Sequence, residues 1–326
     1  MKLDEIYKIV NKEIGIVDEK IKKTIPQRAD LFRDACLQIL NGKSKRIRPA
    51  LVLLCAKVLN LRGMKIINLA TAVELFHTAT LVHDDIIDAS TLRRGMETVN
   101  VKFGVHSAIL VADYLYLNAA LLLNGVFDGN SQLNKELSKL ILSTVNKMFS
   151  GELNQLLKNS ISISRKEYFN IISQKTASFF SACCTIPALL TNSNSMQKIA
   201  LLLYGKNLGL AFQIMDDILD IIGDETKFGK KKGSDIKEGF FTLPIVHFYE
   251  HATSDERKKL LHLLTRKKKN LKNIIKLISK YNSLEYAKNV AKSYSKKAKN
   301  NIALFPDSEA KRSLVGLCDF VIERDH

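Results

Sequence analysis

Apolar residues recur at helical spacing through nearly the whole chain. Near the N-terminus Ile6, Ile9, Val10, Ile14, Val17 and Ile21 alternate with charged residues, which predicts amphipathic helix to about Asn41. Residues 49–59 read as a strongly apolar helix, with Pro49 suited to its first turn. Residues 65–88 are apolar almost all round until the last turn, so this helix should be central. A glycine-containing loop over 91–104 precedes a buried helix over 106–127. Further helices are predicted over 132–157, over 164–184 behind a capping box of Ser164 and Glu167, and over 195–222. A charged segment, 223–239, follows. From Leu243 onward several helices break near Ser254, Lys268, Asn282 and Pro306. No stretch of useful length alternates with strand period, and no repeat or linker divides the chain. The pattern predicts an all-α protein, one domain over residues 1–326.

Composition agrees with long helices, because only 5 prolines interrupt 326 residues. The charge is more ambiguous: 50 Lys and Arg against 33 Asp and Glu leave +17. Such a balance fits either a nucleic-acid or anionic-lipid partner, or a solvated lysine surface. The late lysines, as in RKKKNLKNIIKLISK (266–280), are dispersed between apolar positions with no aromatic interleaving, so no nucleic-acid partner is expected. The N-terminal MKLDEIYKIVNKEIG has no apolar core of a signal peptide, and no run reaches the roughly 18 apolar residues of a membrane span. The 5 cysteines show neither CxxC nor zinc spacing. They read as buried thiols in a reducing cytoplasm.

Acidic residues are gathered at two places. HTATLVHDDIID ends in Asp84, Asp85 and Asp88, and LGLAFQIMDDILD ends in Asp216, Asp217 and Asp220. Asp84 and Asp88 are one helical turn apart on one face, and Asp85 is rotated about 100° from Asp84. Crowded carboxylates repel unless a cation neutralises them. Hard oxygen ligands with room for water suit Mg²⁺, shared with phosphate oxygens. A single DDxxD could be an exposed acidic helix end. Two of them, each emerging from an apolar helix in a basic chain, point to metal.

Basic residues come in separate packets: Lys45, Arg46 and Arg48 in KRIRP, Arg93 and Arg94 in RRG, Lys175 in QKTASFF, and Lys230 to Lys232 in GKKK. Arg offers phosphate a forked contact and Lys a point charge. With two acidic clusters, these packets suggest two diphosphates bound at once. His77 falls near the face of Asp84, which favours a polar role, whereas His83 reads as helix packing. Gln213, one turn before Asp217, can hydrogen-bond a ligand.

These motifs resemble those of the trans-isoprenyl diphosphate synthases. The likeness spans KRIRP (45–49), VELFHTATLVHDDIIDASTLRRG (73–95), FG then ADYL (103–115), GE (151–152), KTASFF (175–180), GKNLGLAFQIMDDILD (205–220), FGK (228–230), GSDIKEG (233–239) and TLP (242–244). The C-terminal tail is similar to that of bacterial octaprenyl diphosphate synthases. The resemblance implies the isoprenoid synthase fold, a helical bundle around a central cavity, and a homodimer. It implies that Asp84, Asp85, Asp88, Asp216, Asp217 and Asp220 hold two or three Mg²⁺ ions on an allylic diphosphate. Arg93, Lys175, Thr176, Gln213 and Lys230 would contact that diphosphate. Lys45, Arg48, His77 and Arg94 would bind isopentenyl diphosphate.

The implied reaction ionises the allylic substrate, condenses it with isopentenyl diphosphate and eliminates a proton. Ala79 and Thr80 stand where short-product members of the family often carry an aromatic. Small residues there imply an open tunnel and a long product, here octaprenyl diphosphate for respiratory quinone side chains, with heptaprenyl and nonaprenyl as neighbouring alternatives. Leu121, Leu122 and Leu123 are candidates for the tunnel floor, and ordinary core packing explains them equally well. Release of such a product would favour peripheral membrane contact. Three positions depart from the family pattern: GKS before KRIRP, Ala112 where glycine is usual, and Phe240 where a lysine is common. A terpene cyclase would leave KRIRP, His77 and Arg94 without a role, and a silent partner subunit would be expected to lose the aspartate motifs.

Overall fold

Three helices, α1 (Leu3–Tyr7), α2 (Asn11–Lys23) and α3 (Leu31–Leu40), open the chain where one amphipathic stretch was predicted. The chain leaves the helix after Lys23, where the Thr24 hydroxyl caps the Ile21 carbonyl at 2.7 Å and Pro26 follows. The computed structural model describes residues 2–27, 30–40, 44–93, 95–126, 131–157, 163–191, 193–223, 233, 235–236, 239–265 and 271–324. It is all-α apart from one short hairpin, and divides into two compact units. The first comprises Met1–Lys139, Cys183–Ile199 and Phe305–Leu314, and the second Leu140–Ala182, Ala200–Leu304 and Val315–His326.

In the first unit α4 (Ile47–Val58) and α5 (Met64–Ile87) form the centre, with α2 and α7 (Val105–Asn124) packed against α5. The predicted all-round apolar character of α5 is realised as burial of Leu69, Ala70, Ala72, Leu75, Ala79 and Val82. Each fully buried leucine, such as Leu51, Leu54, Leu69 or Leu75, contributes about 1.5–3 kcal/mol by leaving water. Glu74 is a buried charge in the middle of this helix. Arg46 Nη1 meets it at 2.6 Å while the Ser44 hydroxyl donates to it at 2.9 Å. Arg46 also pairs with Asp18 at 2.8 Å and starts α4 from a left-handed backbone conformation (φ 49°). The middle arginine of KRIRP is thus a fold anchor.

Two short strands, β1 (Leu92–Arg93) and β2 (Met96–Glu97), pair antiparallel with Arg93 opposite Met96. Gly95, at φ 79°, lets the turn close. Then follow α6 (Val99–Phe103) and α7. The sequence predicted that α7 is buried; instead Leu110, Leu117 and Leu121 are 59%, 58% and 62% exposed along one face. Leu121 therefore faces outward in this chain, and Leu122 and Leu123 are half-buried. By length and composition α7 is also apolar enough to cross a membrane, which single-residue runs in the sequence did not indicate.

In the second unit lie most of α8 (Ser131–Leu157), α9 (Arg165–Ile172), a π-helical turn (Ser173–Ala177), the start of α10 (Ser178–Leu189) and most of α11 (Ser195–Ile222). The predicted capping box opens α9: the Ser164 hydroxyl accepts from Glu167 N. Helices α12 (Leu243–His251), α13 (Ser254–Thr265), α14 (Leu271–Ser279), α15 (Ser283–Asn301) and α16 (Glu309–Glu323) complete the chain. Ile221, Ile245, Phe248, Leu260, Ile274 and Ile278 form a second apolar cluster there. All five cysteines are buried free thiols, as predicted.

Candidate active site

The first aspartate cluster sits at the C-terminal end of α5. Asp84 and Asp88 are half-buried, and the Asp88 N–H caps the Asp84 carbonyl at 2.8 Å. Asp85 points inward and is 2% exposed. Arg93 meets it from the hairpin, with Nε donating to both carboxylate oxygens at 2.8 Å and Nη2 at 2.7 Å from Oδ1. This forked, charge-assisted pair is strong because little water reaches it. The loop between is clamped by Thr98, whose hydroxyl donates to the Ser90 carbonyl at 2.7 Å. Arg94 lies outside the described residues.

Arg48 and His77 come together as the two basic motifs suggest: Arg48 Nη1 lies 2.8 Å from His77 Nε2. Arginine only donates, so Nε2 accepts and the ring carries its proton on Nδ1 for this contact. The Lys45 carbonyl accepts from the Tyr7 hydroxyl at 2.9 Å. Below them Ala79 is fully buried, and Thr80 is half-buried with its hydroxyl on the His77 carbonyl at 2.7 Å. The His83 ring lies 5.5 Å from that of Tyr116, which also meets Phe76 edge-on at 5.0 Å, and its Nε2 lies 4.0 Å from Asp113 Oδ1. Burial, with the Asp84 and Asp113 charges, pushes the Tyr116 phenol up, so it stays protonated.

In the second unit Asp217 of α11 is buried, and both its oxygens are engaged. The Tyr168 hydroxyl donates to Oδ2 at 2.6 Å and Gln213 Nε2 to Oδ1 at 2.9 Å. The Thr176 hydroxyl in turn donates to Gln213 Oε1 at 2.7 Å, which fixes the amide's orientation. Burial pushes the Asp217 carboxyl up to about 7; the bonds from Tyr168 and Gln213 oppose this, and the Asp216 and Asp220 charges add to it. Asp220 Oδ2 accepts from the Asp235 backbone at 3.2 Å. Asp216 is met at 2.7 Å by Arg324, close to the chain end.

Lys175 and Thr176 ride on the π-helical turn, an insertion that often marks a functional position. Two glycines make room for it. A Cβ on Gly151 would sit 2.5 Å from the Lys175 nitrogen, and one on Gly209 would sit 2.7 Å from Ala177 Cα. Lys175 Nζ is held 2.5 Å from Glu152 and 3.3 Å from Gln155. Lys230 to Lys232 and Lys237 lie outside the described residues.

Among the described residues no three His, Cys, Asp or Glu side chains converge tightly enough to hold an ion alone. The oxygen-only donor set of the two clusters suits Mg²⁺ in kind. Tyr168, Glu152 and Arg324 were not picked out from sequence. Glu152 stands in the GE pair and Arg324 in the tail, but nothing in their local pattern indicates a partner.

Such a helical protein, with two aspartate clusters each backed by a cationic or hydrogen-bonding group, defines a diphosphate-handling enzyme. Residues 29–281 match the polyprenyl synthetase family. Octaprenyl diphosphate synthase of Haemophilus influenzae is 32% identical, covering 100% of this chain and 98% of its own. Geranylgeranyl diphosphate synthase of Saccharolobus solfataricus is 34% identical, with 99% of each covered. A polyprenyl synthase from Caulobacter crescentus, solved with calcium and isoprenyl diphosphate, superposes with a TM-score of 0.91 at 27% identity, covering 100% of this chain and 98% of its own. The chain belongs to the polyprenyl synthetase family, has the all-α isoprenoid synthase fold, and is a prenyltransferase of the trans-prenyl diphosphate synthase type.

Proposed function

We propose that the enzyme is a long-chain synthase that adds isopentenyl diphosphate repeatedly to an allylic diphosphate, farnesyl diphosphate being the primer, and stops at octaprenyl diphosphate. What supports the length is the pair Ala79 and Thr80, small side chains about one turn before Asp84. Relatives with octaprenyl and geranylgeranyl products match at similar identity, so length rests on these residues.

In this reading Asp84, Asp88, Asp216 and Asp220 hold Mg²⁺, two or three ions in all. Bound there, the metal neutralises the charge on the departing diphosphate. Asp85 and Asp217 act from behind: Asp85 aims Arg93, and Asp217 aims Gln213 and through it Thr176. Lys175, Thr176, Gln213, Arg93 and Lys230 would then bind the allylic diphosphate. Lys45, Arg48, His77 and Arg94 would hold isopentenyl diphosphate, with His77 beside Arg48. The apolar core around α5 would exclude water from the allylic cation.

The exposed leucines of α7 favour a homodimer, and the free buried thiols a cytoplasmic setting, with peripheral membrane contact for an insoluble product. Light scattering of Leu117→Glu should show monomer where the native chain shows dimer. The decisive assay incubates the enzyme with Mg²⁺, farnesyl diphosphate and isopentenyl diphosphate and sizes the products. A C40 product is expected; arrest at C20 would overturn the long-chain reading.

A further inference from the structure

We propose that Arg324 is a positioning residue for the second aspartate cluster, holding one oxygen of Asp216 so that the carboxylate is oriented for metal and diphosphate. The guanidinium reaches α11 from just past the end of α16. Its Nη2 donates to the Phe212 carbonyl at 2.8 Å and lies 2.7 Å from Asp216 Oδ1. Its carbon sits 4.0 Å from the centre of the Phe212 ring, a cation–π contact. Phe212 and Asp216 are one helical turn apart, so the single Nη2 group reaches both. The arginine side chain is 4% exposed, and its Nε is buried with no hydrogen-bond partner.

Burying a charge with an unsatisfied donor is costly. An arginine turned to solvent bears no such cost, and no other acid meets Arg324 among its described partners. The cost is therefore borne where Asp216 must be held. The Asp216 side chain stays 33% exposed, so it remains open to a ligand on its other oxygen. Gln213 and Tyr168 hold Asp217 in the same way, and together the three side chains fix the orientation of two adjacent carboxylates. Once a diphosphate and three aspartates surround the site, the guanidinium charge favours the assembled state.

The proposal rests on the metal–diphosphate reading above, and the test separates the two. Binding of the unreactive analogue farnesyl thiodiphosphate is measured by calorimetry across Mg²⁺ concentrations, for the native chain, Arg324→Gln and Arg324→Lys. The native chain should bind only with Mg²⁺. Arg324→Gln should need about tenfold more Mg²⁺ for half-maximal binding, the usual loss when a group orienting a metal ligand is removed, and Arg324→Lys should recover part of it. Thermal midpoints in EDTA should agree within a few degrees. An unchanged or lower Mg²⁺ requirement in Arg324→Gln would overturn the proposal and make the guanidinium a competitor of the ion. If Arg324→Gln does not fold, Arg324→Lys decides alone: charge without the planar guanidinium seated on Phe212 must still raise the requirement, and equality with the native chain overturns the proposal. Absence of Mg²⁺-dependent binding in the native chain would instead sink the metal–diphosphate reading, and this one with it.

Discussion

Replacing Tyr168 by phenylalanine removes one oxygen and leaves the ring. That oxygen donates to Asp217 Oδ2 at 2.6 Å, with Tyr168 3% and Asp217 4% exposed, so water cannot take its place. A hydrogen bond to a charged group is worth about 1.5–3 kcal/mol net, and a neutral one about 1 kcal/mol. Which figure applies depends on pH. The folded Asp217 carboxyl titrates at about 7, raised from its ordinary 3.8. The unfolded chain therefore binds fewer protons than the folded one between those values. The stability this group contributes is complete at low pH and is lost as pH rises through about 7. Without the hydroxyl, the charged form loses a partner and the folded pKa rises further. The loss then continues above pH 7 in the variant, where the native chain has levelled off. Urea unfolding in EDTA, followed by circular dichroism, should show Tyr168→Phe about 1 kcal/mol less stable at pH 5.5 and about 2–3 kcal/mol less stable at pH 8.5. A deficit under about 0.5 kcal/mol, or one that is equal at both pH values, would refute the assignment of this bond as a buried, charge-assisted one.

Asp84→Ala should nearly abolish turnover while leaving the thermal midpoint close to native, because Asp84 is only half-buried; full activity would remove its metal role. Ala79→Tyr should shorten the product seen by thin-layer chromatography. Ala79 is fully buried, so a packing cost of about 1–3 kcal/mol is expected, and the half-buried Thr80→Tyr serves as the second variant. Unchanged length in both would refute the open-path reading. His247 stacks on Tyr286 at 4.0 Å and His251 at 4.3 Å, and burial holds its pKa below the ordinary 6.5, with the His251 and Arg165 charges adding to the effect. Its contribution is therefore present above pH 6.5 and lost as pH falls through the lowered folded value. The drop in thermal midpoint between pH 7.5 and pH 5 should shrink in His247→Asn, and an equal drop would contradict this.

The helices were legible because burial on one face repeats every three to four residues, and local spacing is all that signal needs. The features missed depend on distant partners. The π-helical turn at Lys175 exists because Gly151 and Gly209 let two other helices approach its backbone, which no window around Lys175 reveals. The hairpin of Leu92–Arg93 with Met96–Glu97 is too short to show alternation. The outward face of α7 was misread because its leucines are as apolar as core leucines, and only packing tells them apart.

The aspartate motifs carry the same lesson one step further. Adjacent residues on a helix point about 100° apart, so Asp84 and Asp85 cannot both face one ion squarely, nor can Asp216 and Asp217. The motif announces carboxylates but not their division of labour. That division is set by what waits on the inner side: Arg93 for Asp85, and Tyr168 with Gln213 for Asp217. Tyr168 is 49 residues from Asp217 in sequence, and Arg324 is 112 from Phe212. In the proposed reading each cluster gives one buried carboxylate to orienting a diphosphate contact and leaves the others partly exposed. A DDxxD in which the inner partner were apolar would bury an uncompensated charge, so the inward groups are as necessary to the motif as the aspartates themselves.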